Sequence, residues 1–248
     1  MFVHINETDG GSINSQQGQQ SNASCLGPLS PSIAGIKLLV KAVIDAKPWD
    51  TDPLALRMPW NCESYRLKDH GQDDGPLCFA IPTDNGEVVP HPPYLRAIRE
   101  VREALVAAGH KTIDWKFPDA AEGHRLYLAH LVADGGEDLR RSCEASGEPV
   151  LGGTVRGIVA GPLSTLEWWD LVHRKDQYLA RQLAAWNATS AISGTTRPVD
   201  AVILPAAPYP SFKPGEREYV YYTVSLMYIS AQSRLCQILV TFLLSLSQ

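Results

Sequence analysis

Apolar residues recur at helical spacing soon after the start of the chain. The positions three or four apart are Ile33, Ile36, Leu39, Val40 and Val43. This spacing predicts an amphipathic helix over Ser32–Ala46. Ser30 is a suitable N-cap residue and Pro31 suits a first helical turn. Lys47-Pro48 ends the predicted helix, because proline cannot continue one.

Two short apolar runs flank a second helical pattern. The run Leu77–Ile81 lies between turn residues and predicts a buried strand, followed by a loop with Asp84-Asn85-Gly86 as its turn. Apolar spacing over Leu95–Val106 predicts a helix that ends at Gly109, and Lys111–Lys116 predicts a strand. Strand, helix and strand in this order form a βαβ unit, which predicts a parallel or mixed sheet.

Helices dominate the following part of the pattern. Asp119–Gly135 and Glu137–Ala145 are predicted helices. A long helix is predicted to open at Ser164 and to run to Ala191, because Ser164 and Glu167 have the spacing of a capping box. Asp-Ala-Val-Ile-Leu at 200–204, before Pro205, predicts a buried strand.

Composition and charge narrow the class of protein. Of 248 residues, 44% are hydrophobic, which is typical of a globular chain. Lys plus Arg number 22 and Asp plus Glu 27, so the net charge is 22 − 27 = −5, which argues against a nucleic-acid-binding protein. The apolar run 235–246 is too short for a membrane span. No secretory leader is recognisable at the first residues, and we expect a soluble, cytoplasmic protein without a membrane partner.

Known metal and cofactor motifs are missing from the sequence. The histidines form no His-x-x-x-His pair and the five cysteines no Cys-x-x-Cys pair. Neither phosphate-binding glycine motif occurs, and no Gly-x-Ser-x-Gly elbow is present. We therefore expect neither a metal ion nor a cofactor.

A few residues remain as candidates for chemistry. Ser12 follows Gly10 and Gly11, and backbone N–H groups beside such a serine are able to hold an oxyanion. The same residues also fit an ordinary polar loop. Cys78 lies in an apolar run and is expected to be an inert core thiol. His124 and His130 lie on a predicted helix, where packing is favoured over a role as a base.

Several segments, in this order, resemble the amidase signature family, and most closely its acetamidase-like general amidases of fungi. The similarity covers about residues 18–223. The segments are Gly27-Pro28-Leu29-Ser30, Lys47-Pro48-Trp49-Asp50 with Asp52-Pro53, Asp84-Asn85-Gly86, Val89-Pro90-His91-Pro92-Pro93, Ala107-Ala108-Gly109-His110, Asp200 to Pro208, and Glu218 to Thr223.

The resemblance implies a fold and a reaction. It implies an α/β fold, with a mixed β-sheet flanked by helices, of which this chain carries a part. It implies hydrolysis of carboxamides to carboxylic acid and ammonia by a Ser-cisSer-Lys triad through an acyl-enzyme. By position, Ser12 is then a remnant nucleophile or a coincidence, and Gly10 and Gly11 are the matching oxyanion-hole residues.

The sequence also departs from the family pattern. The triad lysine and middle serine precede the nucleophile in the family, whereas the first lysine here is Lys37 and no Gly-Gly-Ser-Ser-Gly-type loop is present. Three segments are therefore predicted: a polar, disordered arm over 1–26, a partial amidase domain over 27–223, and a divergent apolar segment over 224–248.

These departures favour a catalytically inactive relative of the amidases. One alternative is an active small-amide hydrolase that uses Ser12 and borrows Lys37 or Lys213 as the base. Another is a non-catalytic binding partner of a full-length amidase, or a self-associating chain. A third is an unrelated binding module. The partner in the parent family is a small amide substrate.

Overall fold

Two compact units divide the chain, Met1–Asp73 and Asp74–Gln248. A computed structural model describes residues 28, 30–53, 55–68, 75–86, 88–150, 161–205 and 208. The predicted arm over 1–26 and the predicted apolar segment over 224–248 lie outside the described residues.

Helix α1, Ile33–Asp45, is the main element of the first unit. The Ser32 hydroxyl oxygen caps it by accepting a hydrogen bond from the Gly35 amide at 3.1 Å. Ser30 is therefore not the N-cap; its hydroxyl oxygen accepts from the Ser32 amide at 3.3 Å. The helix ends before Lys47, which has a left-handed φ of 53° and leads into a 3-10 turn over Pro48–Asp50.

A short helix, α2, completes the described part of the first unit. It spans Cys62–Tyr65, and the Asn61 side chain caps it by accepting from the amides of Glu63 and Ser64. The Lys37 ammonium lies 4.0 Å from the centroid of the Tyr65 ring, so a cation–π contact joins α1 to α2.

A three-stranded sheet lies at the centre of the second unit. Its strands are β1, Cys78–Ile81, β2, Lys111–Asp114, and β3, Ala201–Val202. The order is β2-β1-β3, and both neighbours run parallel to β1. Helix α3, Pro92–Ala107, connects β1 to β2. The predicted α/β class and the predicted βαβ unit are confirmed, and the described part of the sheet is parallel.

The outer strands are shorter than predicted. The chain leaves β2 at Asp114 rather than Lys116, and the following aromatic side chains, Trp115 and Phe117, pack with the core. The main cluster of buried residues lies on the sheet and consists of Cys78, Ala80, Phe117, Val199, Val202 and Leu204.

Asp200 joins β3 to β1 through two hydrogen bonds with Cys78, which we call the Asp200 clamp. The Asp200 amide donates to the Cys78 carbonyl oxygen at 2.8 Å, and the Cys78 amide donates to Asp200 Oδ2 at 2.7 Å. The Asp200 side chain is buried, and Arg197 Nη2 donates to its Oδ1 at 3.3 Å. The carboxylate thus takes the place of a strand carbonyl at the start of β1, directly before β3 begins at Ala201.

Helices α4, Ala120–Leu131, and α6, Thr165–Ala188, pack against each other. Their contact buries Leu126, Leu171 and Tyr178. Helix α4 ends at Leu131, short of the predicted Gly135, and Gly135 and Gly136 adopt left-handed φ values of 67° and 76° in the connection to the next helix.

The remaining helix boundaries follow the predictions closely. Helix α5 spans Glu137–Ser146. The predicted capping box of α6 is confirmed: the Ser164 hydroxyl accepts from the Glu167 amide, and the Glu167 carboxylate accepts from the Ser164 amide at 2.7 Å. A 3-10 turn over Thr189–Ala191 extends α6 to the predicted end.

Candidate functional site

A polar crevice opens where β1 and β2 end. It has a volume of about 470 Å³, and its lining residues are Thr83, Asp84, Asp114, Trp115 and Lys116. These residues follow or end two neighbouring parallel strands. In open α/β sheets, ligands bind outside the carboxyl ends of the strands, which makes this crevice the candidate site of the described residues.

The turn after β1 shapes one side of the crevice. Asp84 Oδ1 accepts from the Gly86 amide at 2.8 Å, and the buried Asn85 Oδ1 accepts from the Val88 amide at 2.9 Å. Gly86 has a φ of 87°, which a side chain would strain. The predicted Asp84-Asn85-Gly86 turn is confirmed, and its two side chains hold the backbone in place.

Aromatic packing positions Trp115 on the other side of the crevice. The Trp115 ring meets the Phe117 ring edge-on, with centroids 4.8 Å apart, and the Trp186 ring at 6.4 Å. Such edge-to-face contacts favour one orientation of the indole. The Trp115 side of the crevice is therefore preorganised by the core beneath it.

Charged groups of both signs lie at the crevice. Arg102 Nη2 donates to Asp114 Oδ1 at 2.5 Å and to the Ile81 carbonyl oxygen at 3.4 Å. That pair spans β1 and β2 at their carboxyl ends. Asp84 supplies an acceptor and Lys116 a donor, a combination suited to an uncharged polar group with both an N–H and a carbonyl.

The sequence-predicted nucleophile and its neighbours are not tested by the structure. Ser12, Gly10 and Gly11 lie outside the described residues, and so does Lys213. Lys37 belongs to the first unit, where the Tyr65 ring faces its ammonium.

Cys78 behaves as the sequence predicts. Its side chain is fully buried in the main cluster. Burial raises the pKa of the Cys78 thiol, and the nearby Asp200 carboxylate raises it further. A protonated, buried thiol is a poor nucleophile, so Cys78 is a core residue.

His124 and His130 are both buried on α4. The His130 ring packs edge-on against Trp168 of α6, with centroids 5.3 Å apart. Its Nδ1–H donates to the Leu126 carbonyl oxygen at 2.7 Å, while Nε2 is buried without a hydrogen-bond partner among the described residues. This setting matches packing rather than catalysis by His130.

Burial lowers the pKa of His130 below its usual 6.5, and Lys175 lowers it further, while the Leu126 hydrogen bond and Asp176 act in the opposite direction. The unfolded chain therefore takes up more protons than the folded chain below about pH 6.5. We expect the free energy of unfolding to fall as the pH drops through that range. His130→Leu removes this dependence, and urea denaturation at a series of pH values measures it.

The matched control is His173→Leu, which replaces an exposed histidine on α6. This variant is expected to keep the pH dependence of the unmodified chain. If the free energy of unfolding of His130→Leu depended on pH as steeply as that of the unmodified chain, other groups would be responsible for the acid sensitivity.

Sequence reasoning did not single out the crevice residues, although a signal was present. Thr83 and Asp84 follow the first predicted strand, and Asp114 and Lys116 lie at the end of the next one. Parallel strands bring such positions to one edge. Among the described residues no group of three His, Cys, Asp or Glu side chains is arranged to hold a metal ion. The part of the chain covered by the structure also contains no helix both long and apolar enough to cross a membrane.

Comparisons with known proteins agree on one family. The family model described as Amidase matches residues 9–242. "Amidase 1" of Gibberella moniliformis is 36% identical over 210 residues, which cover 84% of this chain and 39% of that protein. "Acetamidase" of Emericella nidulans is 29% identical over 212 residues, covering 84% of this chain and 38% of that protein.

A solved structure shares the fold. "Fatty acid amide hydrolase" superposes with a TM-score of 0.72 at 24% sequence identity, covering 94% of this chain and 38% of that one. The chain thus spans about two-fifths of the length of the proteins it matches. With the family model matching nearly the whole sequence and an α/β fold shared with an amidase-type structure, the chain belongs to the amidase family.

Proposed function

We propose that this chain forms part of a carboxamide-hydrolysing amidase domain and that by itself it binds amides without hydrolysing them. The observation that carries this proposal is the family match over residues 9–242, on a sheet whose carboxyl edge opens into a polar crevice. The amide substrate class follows the family. The inactivity follows the departures from the family's triad.

The crevice offers the contacts that an uncharged amide needs. Its acceptor at Asp84 suits the amide N–H, and its donor at Lys116 suits the carbonyl oxygen. Trp115, held by the core, offers an apolar surface to the acyl chain. At about 470 Å³ the crevice is within the range for small-molecule pockets.

Among the described residues, the crevice lining includes one lysine, Lys116. The Lys37 ammonium faces Tyr65, Lys41 pairs with Asp45, and the Lys111 ammonium donates to the Gly194 carbonyl. Lys116 reaches the crevice with an exposed side chain. A lysine that acts as a base requires desolvation, which an exposed position does not provide.

We expect ammonia release from acetamide and propionamide by this chain to be at least about 10³-fold slower than by the acetamidase of Emericella nidulans. The reason is that a serine without its base loses most of its reactivity. A coupled ammonia assay measures both proteins side by side. Ser12→Ala is expected to leave the rate of this chain unchanged.

Two results would contradict the proposal. Ammonia release that disappears in Ser12→Ala would establish the alternative, an active hydrolase that uses Ser12 as the nucleophile. The proposal that the crevice binds amides has its own test. Propionamide is expected to shift the NMR signal of the Trp115 indole and not that of the exposed Trp169. Equal behaviour of the two indoles would remove the crevice as the amide site.

A further inference from the structure

Arg102 lies on α3 and contacts the crevice residue Asp114, but it does not itself line the crevice. Its Nη2 group donates to the Asp114 carboxylate at 2.5 Å and to the Ile81 carbonyl oxygen at 3.4 Å. Ile81 and Asp114 are the last residues of β1 and β2, and they are partners in the register of the sheet. One guanidinium group therefore binds both strands at the edge from which the crevice opens.

The charged side chains that line the crevice do not compensate one another. They are two carboxylates, Asp84 and Asp114, and one ammonium group, Lys116. The lining by itself thus has one negative charge in excess, and such an excess attracts organic cations. The Arg102 guanidinium forms an ion pair with Asp114 and supplies the missing positive charge. With Arg102 included, this group of side chains is neutral.

The two partners of this ion pair differ in exposure. The Arg102 side chain is 31% exposed, whereas that of Asp114 is 87% exposed. A guanidinium keeps its charge at every pH at which the protein is folded, and its planar group donates directed hydrogen bonds. An alkylammonium ion that approaches Asp114 therefore meets a carboxylate whose charge is already compensated. An uncharged amide is not affected by this compensation.

We propose that Arg102 determines the specificity of the crevice: by neutralising Asp114 it excludes primary alkylammonium ions and leaves the crevice to uncharged amides. This inference rests on the proposed function, since it takes the crevice as an amide site. The role of Arg102 is electrostatic and acts through Asp114. A residue that only held the two strands together would change the affinities for cations and for amides alike.

Titrations of the Trp115 indole NMR signal compare n-propylammonium with propionamide, two ligands of similar size, of which only the first is a cation at neutral pH. Arg102→Gln is expected to raise the affinity for propylammonium about 3-fold at low salt, because it leaves Asp114 without its counter-charge. Sodium chloride at about 1 M is expected to abolish this increase by screening. The affinity for propionamide is expected to change by less than about 2-fold.

Three further variants separate the charge of Arg102 from its structural contacts. Arg102→Lys keeps the positive charge and is expected to keep the low affinity for propylammonium. Arg102→Gln combined with Asp114→Asn removes both charges and is expected to restore that low affinity. The matched control is Arg96→Gln, which breaks the exposed ion pair between Arg96 and Glu100 on the same helix. Neither of these two residues lines the crevice, so both affinities are expected to stay unchanged.

A variant at the exposed partner keeps the proposal testable if Arg102→Gln does not fold. Asp114→Asn alone leaves the positive charge of Arg102 in excess. It is therefore expected to raise the affinity for propionate about 3-fold at low salt. Circular dichroism verifies the fold of each variant. An unchanged affinity for propionate in a folded Asp114→Asn chain would contradict the electrostatic role of Arg102.

Three other outcomes would overturn the proposal. These are an affinity for propylammonium that Arg102→Gln leaves unchanged, an equal increase in Arg96→Gln, and a parallel loss of affinity for both ligands in Arg102→Gln and Arg102→Lys. The proposed function is judged separately, by the response of Trp115 in the unmodified chain to propionamide. A missing response there would count against the proposed function alone, because the exclusion of cations is measured with propylammonium.

Discussion

Replacing Asp200 by alanine is expected to lower the free energy of unfolding by about 3 kcal/mol. The substitution leaves the Cys78 amide without its acceptor at 2.7 Å and Arg197 without its carboxylate. Breaking a buried, hydrogen-bonded charge pair from one side has costs of this size, because the remaining groups stay desolvated. Urea denaturation followed by circular dichroism measures the change.

Two variants make the result specific to the clamp. Asp200→Asn keeps an oxygen acceptor for the Cys78 amide and is expected to lose clearly less stability. Asp170→Ala removes an exposed carboxylate on α6 and is expected to change stability by less than about 0.5 kcal/mol. If Asp200→Ala were no more destabilising than Asp170→Ala, the clamp would not hold β3 on β1.

Replacing Gly123 by alanine is expected to destabilise the second unit by about 1–3 kcal/mol. A methyl group at this position would lie 2.3 Å from Tyr178 Oη and 2.6 Å from its Cζ. Tyr178 is buried between α4 and α6, so its ring cannot move aside without disturbing that contact. This overlap outweighs the gain of about 1 kcal/mol that alanine brings to a helix. Thermal unfolding measures the net effect.

A double variant tests the assignment to Tyr178. Gly123→Ala combined with Tyr178→Ala is expected to cost less than the sum of the two single changes, since the overlap is then absent. Ala184→Gly on the exposed face of α6 measures the helix-propensity contribution alone. Stabilisation by Gly123→Ala would show that α4 and α6 do not approach closely at this glycine.

Periodicity and capping chemistry predicted most of the fold. The capping box at Ser164, the βαβ order and the glycine pair between α4 and α5 are all local features, and the structure contains each of them. The predicted N-cap of α1, Ser30, was wrong because Ser30 and Ser32 have the same side chain and either of them could cap the helix. Only the backbone geometry decides which of them meets the first free amide.

Contacts distant in the sequence explain what could not be predicted. The Asp200 side chain takes a place that a strand carbonyl would otherwise fill, beside a residue 122 positions away in the sequence. Arg197 and Asp200 are close in sequence, but their meeting with Cys78 depends on the sheet order. The crevice similarly follows from which strands lie side by side, whereas Ser12 was found from a local pattern and stays a prediction.

The order of the strands has a consequence for how the chain folds. The hydrogen bond between the Cys78 amide and Asp200 closes a loop of 122 residues. The one between Leu77 and His110 closes a loop of 33 residues. Loop-closure entropy makes the longer closure costlier by about 1 kcal/mol and slows its formation. During synthesis β1, α3 and β2 leave the ribosome long before β3. We expect the βαβ unit to collapse first, with the edge of β1 open until β3 arrives.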